Sequence, residues 1–543
     1  MRNETIRLGL GIASVRARWP LLGAVSLAAG LAVGCGFAPL SCWPLSVLGL
    51  AVFTLLCVGL PPRRAAAAGY AFGLGLFGLS VSWIYVYGLW MAVLLVAFMA
   101  LWGMLYAVVV AFSAKLAPWP LLAALGWVGI EYAMSLIPFG GFPWTRLAYT
   151  TAAAPFGGFL RFVGVPGTSL LVALTATLLA YTLVSWVGAP DSPAAPVAGQ
   201  LERKAVRNAA LAITGAAAII LSGGLLRLVP IPAALPESAG GRDVNVGVVQ
   251  GNVDGSAGPR SMGYAGSVLA NHYSETVTAL ALARTGLTAA PDFVLWPENA
   301  SDLDPTNNET AAALIGESAY LAEVPVLVGA VMAGPGENER QTSALWWEPG
   351  VGITARYDKR NAVPFGEYTP WKDLVFAVFP QAKQVGRQTV PGVGPGVLPV
   401  EVAGAPLNVG VIICYELGFD ATVYDVVRAG AEVITVQSNN AGYAGSWQPL
   451  QQFEITRVRA MELGREIVVA TTSSYSGLIG ADGSVLDQTQ PNTAAARVYS
   501  VPLREGVSLG VRIAPFIGPL AAVITVLGLA YSLSRRGLRT VSK

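Results

Sequence analysis

Over the first 230 residues the chain runs in nearly unbroken apolar stretches separated by short loops, several of them basic. Stretches of about the 20 residues needed to cross a bilayer stand at 20–38, 43–60, 67–86, 89–112, 119–137, 164–187 and 208–229, with one more at 513–533. The pattern breaks at Pro230-Ile231-Pro232, where short Val/Ile-rich runs begin to alternate with amphipathic stretches of helical period. Strands are predicted at 244–250, 292–296, 325–331, 342–347, 353–357, 407–413, 432–436, 467–471 and 477–480, and helices at 262–283, 308–322 and 449–464. Strands separated by helices predict an α/β sheet with helices on its faces, about 280 residues being a large single domain. The expected organisation is a membrane domain over 1–230, an α/β domain over 231–511, and a last span with a basic tail over 512–543.

Composition agrees with a chain that lives largely in a membrane. Hydrophobic residues make up 54% of the 543 and charged residues 12%, against roughly 25% charged in soluble domains. A net charge of +2 without basic runs interleaved with aromatics argues against nucleic acid as a partner. The charges instead carry topology. Arg2, Arg7, Arg16 and Arg18 precede the first span, and Arg63, Arg64, Lys115, Arg203, Lys204, Arg207, Arg535, Arg536, Arg539 and Lys543 fall on the same side of the count. By the positive-inside rule that side is the cytoplasm, so both termini are expected inside and 231–511 on the extracytoplasmic face. The length of the first span and the spans that follow it favour a retained anchor over a cleaved signal peptide. The Ala/Pro-rich stretch 188–200 reads as a cytoplasmic linker. Cys35, Cys42 and Cys57 lie in apolar segments without CxxC spacing, which speaks against a disulfide framework or a zinc site.

Cys414 is different, because it ends the apolar run Asn408–Ile413 and opens Cys414-Tyr415-Glu416. A buried strand that stops at Cys and turns into a helix-compatible stretch presents a nucleophile at a sheet's carboxyl edge. Glu298 follows another predicted strand and Lys359 a third. A thiol with its ordinary pKa of about 8.5 needs a base or a cationic neighbour to attack. The one histidine, His272, is placed on a predicted surface helix as an ordinary helix residue, which leaves Glu298 as the base. Lys359 and the backbone amide after Cys414 are then candidates for holding an oxyanion. The duller readings are a helix-capping Glu298, a solvated Lys359 and an inert buried Cys414.

At these residues the chain resembles the nitrilase superfamily, which uses Glu, Lys and Cys in that order, and within it the membrane-embedded apolipoprotein N-acyltransferases. The likeness extends to Phe37-Ala38-Pro39, Trp43-Pro44, 73–83, Gly141-Phe142-Pro143-Trp144, Val363-Pro364-Phe365-Gly366-Glu367, Ser438-Asn439 and 457–462. The resemblance implies a polytopic helical domain of about eight spans and an αββα sandwich. It implies Glu298, Lys359 and Cys414 as catalytic residues, with Glu367, Tyr415 and Glu416 supporting them or the oxyanion. Trp144, Arg146, Asn439, Tyr443 and Trp447 become candidates for substrate binding, with an aromatic-belt role the plain alternative for Trp144 and a structural ion pair for Glu367. The implied reaction moves an acyl chain from a membrane phospholipid, through a Cys414 thioester, to the α-amine of a diacylglyceryl-cysteine lipoprotein, in a monomer that needs no cofactor or metal.

Two departures stand out. Where the family commonly has Ser-Asn-Asp followed by Ala-Trp-Phe-Gly, this chain has Ser438-Asn439-Asn440-Ala441-Gly442-Tyr443, so the aromatic at 442 is missing. The family's Trp-Gln-His becomes Trp447-Gln448-Pro449, with a proline suited to a helix's first turn. Two rival classes keep the same residues: a membrane-anchored amidohydrolase with water as acceptor, and a non-catalytic scaffold or transporter. A transporter's spans should carry intramembrane charge, yet Glu131 on the fifth is the one conspicuous acid.

Overall fold

The computed structural model describes residues 11–187, 198–235, 241–255, 257–258 and 261–541. Arg2, Arg7, Lys543 and positions 188–197 of the expected linker lie outside the described residues. The chain divides into two compact units, Met1–Pro230 with Arg512–Lys543, and Ile231–Val511.

The first unit is helical. Helices Trp19–Gly34, Trp43–Cys57, Pro62–Ser80, Leu89–Ser113, Trp119–Met134, Leu160–Val187, Ala198–Leu226 and Leu509–Val541 stand where the eight apolar stretches were expected. Proline in the first turn of four of them fits a position whose N–H has no intrahelical partner. Glycines let Pro62–Ser80 pack tightly against its neighbours. A Cβ on Gly69 would lie 2.5 Å from the Gly103 carbonyl oxygen, and one on Gly75 only 2.2 Å from that of Leu27. Small residues at such crossings allow backbones to touch, the usual basis of helix association in lipid. Among the described residues, four segments are long and apolar enough to cross a membrane: Leu89–Ser113, Pro155–Ser185, Arg203–Leu226 and Leu509–Ser534. Gly11–Ala17 with Trp19–Gly34, bent by 108°, makes a fifth if taken as one broken span. Trp43–Cys57 and Trp119–Met134 are shorter than their apolar windows, at 15 and 16 residues, because the chain turns before the apolar run ends.

The second unit is built on two sheets. Its strands are β1 (Asp243–Gln250), β2 (Phe293–Leu295), β3 (Val326–Ala333), β4 (Glu339–Glu348), β5 (Gly352–Asp358), β6 (Gln388–Thr389), β7 (Val397–Val402), β8 (Ala405–Ile413), β9 (Val433–Ser438), β10 (Ile467–Thr471), β11 (Gly477–Ile479), β12 (Val485–Gln488) and β13 (Ala495–Pro502). One sheet has the order β13-β1-β2-β3-β4-β5, with β6 pairing on β4; the other runs β12-β11-β10-β9-β8-β7. Two sheets are what the αββα sandwich implied by the resemblance calls for, whereas the alternation of strands and helices by itself pointed to one. Strand alternation explains the pairing: Val246, Phe293, Leu295 and Trp346 of the first sheet share one buried core with Leu407, Val409, Val411 and Ile413 of the second. The opposite face of the first sheet packs Val294, Trp296 and Val328 against Leu269, Ile315 and Ala319 of helices Ser267–Arg284 and Glu309–Ala322. Helix Asp420–Arg428 covers the far face of the second sheet, where Val426 sits over Gly410. Helix Gln448–Leu463 packs beside it. The order of layers is helix, sheet, sheet, helix.

Strand direction then positions the chemistry. β1, β2 and β3 are mutually parallel, and β5, antiparallel to β4, which is antiparallel to β3, points the same way as β2. β8 and β9 are parallel in the other sheet. The segments leaving β2, β5, β8 and β9 carry Glu298, Lys359, Cys414 and Asn439 respectively.

Candidate active site

Cys414 follows β8 directly and begins the tight turn Cys414–Gly418. Its φ of 53° lies in the left-handed region that side chains with a Cβ avoid, so the turn that exposes the thiol is a strained one held by its surroundings. Much of that hold comes from Glu416, which is fully buried. Its Oε2 accepts from the Ile413 N–H at 2.8 Å, and its Oε1 from the Tyr357 hydroxyl at 2.8 Å and the Arg360 N–H at 2.6 Å. One carboxylate thus ties the residue before the nucleophile to the loop after Lys359. From below, fully buried Arg459 donates to the Leu417 carbonyl at 2.8 Å and pairs with Glu462 and Asp420.

Lys359 is 1% exposed, and its Nζ sits 2.7 Å from Glu298 Oε1 and 2.7 Å from Glu367 Oε1. The reading of Lys359 as a solvated loop charge is corrected by that burial. An isolated buried ammonium would cost several kcal/mol, and the two carboxylates offset it. Glu298 Oε2 accepts the Asn439 N–H at 2.9 Å, while Glu367 Oε2 accepts the Val363 N–H at 2.7 Å. Gln437 Nε2 donates to the Trp296 carbonyl at 2.6 Å, stapling the strand that leads to Glu298 onto β9. Each acid therefore has a fixed orientation as well as a partner.

The electrostatics separate the roles these groups can take. Burial favours a neutral Lys359, but Glu298, Glu367 and Cys414 outweigh it and hold the ammonium well above its ordinary pKa. Burial, opposed by Lys359 and aided by Glu367, raises Glu298. Burial and then the Glu298 charge raise the Cys414 thiol, which hydrogen-bonds Glu298. The Cys414 thiol is thus held protonated and Lys359 cationic, with the Glu298 carboxyl group beside both.

A neutral amide cluster completes the floor, and nothing in the spacing of motifs pointed to it. The Cys414 thiol faces Gln452 Oε1 at 3.8 Å, and that oxygen also accepts from Asn440 Nδ2 at 2.8 Å and Gln448 Nε2 at 3.1 Å. Gln452 Nε2 in turn donates to Ser438 Oγ at 2.6 Å. Pro449 in the first turn, as expected, lets helix Gln448–Leu463 start where it can bring Gln448 and Gln452 to the cluster.

The other candidate residues are distributed differently. Asn439 uses its side chain locally: Oδ1 accepts from the Ala441 N–H and the Thr472 hydroxyl, at 3.2 and 3.1 Å. Tyr443 ends a short turn above the cluster, and Trp447, 38% exposed, precedes the helix. Tyr415 is buried edge-on to Phe419. Trp144 and Arg146 belong to the helical unit and are buried there; Trp144 packs edge-on to Trp83, and Arg146 Nε lies 3.7 Å from Glu131. His272 is on a helix, as expected, but its ring is buried against Trp296 rather than at the surface. Burial lowers its pKa to about 4, and its Nδ1 is 2.7 Å from the Val268 carbonyl.

Comparison with known proteins agrees with this architecture. Residues 29–178 match the apolipoprotein N-acyltransferase N-terminal domain, and residues 295–504 match the carbon-nitrogen hydrolase family. An apolipoprotein N-acyltransferase from Mycolicibacterium smegmatis is 32% identical over 533 residues, covering 95% of this chain and 84% of that protein. One from Vibrio parahaemolyticus is 26% identical, covering 87% of this chain and 90% of that protein. Among solved structures, an amidase from Nesterenkonia sp. is similar at 15% identity and a TM-score of 0.33, covering 50% of this chain and 94% of that one. With its two matched domains and a relative aligned over nearly the whole length, the chain belongs to the apolipoprotein N-acyltransferase family, an enzyme branch of the carbon-nitrogen hydrolases.

Proposed function

We propose that this protein N-acylates lipoproteins in two steps, with a phospholipid as donor and Cys414 as the carrier of the acyl group. The observation that carries the reading is the buried Lys359 ammonium bridging Glu298 and Glu367 beside the Cys414 thiol. In the first step Glu298 takes the thiol proton as sulfur attacks the ester carbonyl. The Lys359 ammonium and the Tyr415 N–H hold the oxyanion of the tetrahedral intermediate, a role for which one donor contributes about 3 kcal/mol. Collapse breaks the ester C–O bond, Glu298 returns its proton to the leaving alkoxide, and a lysophospholipid departs. In the second step the α-amine of a diacylglyceryl-cysteine attacks the thioester. With an ordinary pKa of about 7.7–8.0 it gives up its proton readily to Glu298, and the Cys414 thiol is restored.

Lipid substrates suit the surroundings. Beyond Glu367 the chain projects a short helix, Lys372–Val378, with no buried residue, flanked by Trp371 and Phe379. Trp371 is 69% exposed and Leu374 61%. Indole and aliphatic side chains interleaved with Lys372 are the composition of a segment that rests in a lipid interface. Keeping both acyl chains there avoids about 0.8 kcal/mol per methylene exposed to water. By the same reading the α/β unit lies on the extracytoplasmic side of a cell membrane, where donor and lipoprotein acceptor meet, and the enzyme acts as a monomer.

Mass spectrometry of the purified protein incubated with phospholipid tests this. The expected result is an acyl adduct on Cys414 that is discharged by a diacylated lipopeptide and persists in water. Rapid discharge by water alone would make the protein an amidohydrolase-like enzyme, and absence of any adduct would remove the thioester.

A further inference from the structure

On the far side of the amide cluster from Cys414 lies a cavity of about 230 Å³, whose wall includes Asn440, Ser473, Ser474, Tyr475 and Asn492. No charged residue lines it. Ser473 and Ser474 are 2% and 4% exposed as residues and Asn492 is exposed; among the described residues no side-chain hydrogen bond engages their hydroxyls, the Asn492 side-chain amide or Asn440 Oδ1, which leaves these groups open to the space. Their unused donors and acceptors all belong to one small, polar, neutral space. Asn440 forms the inner wall and its Nδ2 shares Gln452 Oε1 with the Cys414 thiol, so the space begins two hydrogen bonds from the sulfur.

From this placement we propose that the cavity is the subsite for the acceptor's peptide, taking the main chain of the residues that follow its acylated cysteine. The inference rests on the acyl-transfer reading above. Polarity excludes an acyl chain, whose burial there would leave the hydroxyls and amides unpaired. A phosphodiester head group would arrive with a charge and meet no cation, whereas anion sites are ordinarily built from charged donors or arrays of N–H groups. Alternating peptide N–H and C=O groups match hydroxyls and carboxamides that both donate and accept. The volume, below the roughly 300 Å³ at which small-molecule pockets begin, suits one or two residues. Contacts to the main chain also ignore side-chain identity, so such a subsite would take acceptors that differ in sequence. Asn440, standing where the family commonly has Asp, keeps the inner wall uncharged and free of repulsion toward peptide carbonyls.

The test uses the full-length protein in detergent with a phospholipid donor, and two diacylglyceryl-cysteine acceptors, one ending at the cysteine amide and one carrying two further residues. The variant is Ser474→Ala with Asn492→Gly; glycine tolerates the left-handed backbone at 492, where φ is 58°. A second variant, Ala444→Phe, fills the cavity from its rim. In the unaltered protein the longer acceptor should have a KM about tenfold lower than the shorter one. In both variants that advantage should vanish, while the rate of acyl-adduct formation on Cys414, which also reports a folded site, stays within twofold. A variant that slows adduct formation and leaves the KM ratio intact assigns the cavity to the donor head group and overturns the proposal. Unchanged behaviour in both half-reactions overturns it as well. Failure of the unaltered protein to form an adduct is a separate result, which removes the acyl-transfer reading and the subsite together.

Discussion

A lysine ammonium at 1% exposure persists because two carboxylates stand 2.7 Å from it, and in the proposed mechanism that arrangement leaves the proton transfer to Glu298. Lys359, held protonated, has no lone pair to act as base; the proposal gives that role to Glu298, whose pKa is raised toward that of the thiol. A base acts in its deprotonated form, so kcat/KM for adduct formation should fall as pH drops through the Glu298 pKa, at a pH above the ordinary carboxylate range. Glu367 is one cause of that elevation, because its negative charge disfavours a second one on Glu298. Replacing it with a neutral isostere, Glu367→Gln, should therefore move the acid limb of the profile to lower pH, with kcat reduced because Lys359 loses a partner. A profile that stays put, or moves up, would mean that Glu298 is not the titrating base. Lys359→Met should cost about 10²–10³-fold in kcat, the loss typical of one oxyanion donor, read as the single-turnover rate of adduct formation. Cys414 could be singled out in the chain because it directly follows an apolar run, whereas Lys359 follows the polar Arg356-Tyr357-Asp358 and became a candidate, like Glu298, as one of three residues at predicted strand ends in the order Glu, Lys, Cys. Gln452, Asn440 and Gln448 could not be singled out, since polar residues on a loop and a helix carry no pattern that announces what they face.

At the scale of elements, the site depends on how closely strands approach. A Cβ at Gly329 on β3 would lie 2.1 Å from the Pro297 carbonyl oxygen and 2.7 Å from the Glu298 Cα. Backbone atoms that close cannot yield by rotating a side chain, so Gly329→Ala should push the Glu298 segment out of line. The expected outcome is at least a tenfold loss in adduct formation, since small misplacements of a reacting group are costly, together with a lower melting temperature. Full activity in Gly329→Ala would show that the segment has room to adjust. Most strands were readable from Val/Ile runs, and β10 coincides with its predicted range of 467–471. β7 was hidden by Pro399, which an edge strand tolerates because one side of it donates to no neighbour. β12 and β13 are also edge strands, interspersed with polar residues such as Asp487 and Arg497, and so lack the continuous apolar signature of strands buried on both faces. Division into two sheets was hidden for a related reason: alternation within a strand marks a buried face but not which sheet lies across from it.

For the whole molecule, the number of crossings sets the side on which the chemistry happens, and the helix lengths leave two parities to distinguish. If only the long apolar helices and the bent pair cross, four crossings precede the α/β unit and one follows it. The N-terminus and that unit would then share a side, and the C-terminus would lie opposite. If Trp43–Cys57, Pro62–Ser80 and Trp119–Met134 cross as well, seven precede and one follows, so both termini share a side and the α/β unit faces away from them. Helices of 15 and 16 residues span only about 22–24 Å at 1.5 Å per residue, short of a hydrocarbon core of about 30 Å. Local thinning and the apolar turns that extend them absorb such a mismatch at modest cost. Charge favours the second parity: Arg2, Arg7, Arg16 and Arg18 at one end and Arg535, Arg536, Arg539 and Lys543 at the other are drawn to the same, cytoplasmic side. Single cysteines introduced near each terminus and at Ala289, in a background where Cys35, Cys42 and Cys57 are replaced by Ser and Cys414 by Ala, should separate the cases in intact cells. A membrane-impermeant maleimide is expected to label position 289 and neither terminus. Labelling of the C-terminus without position 289 would establish the four-crossing parity and move the α/β unit, with its acyl chemistry, to the cytoplasm.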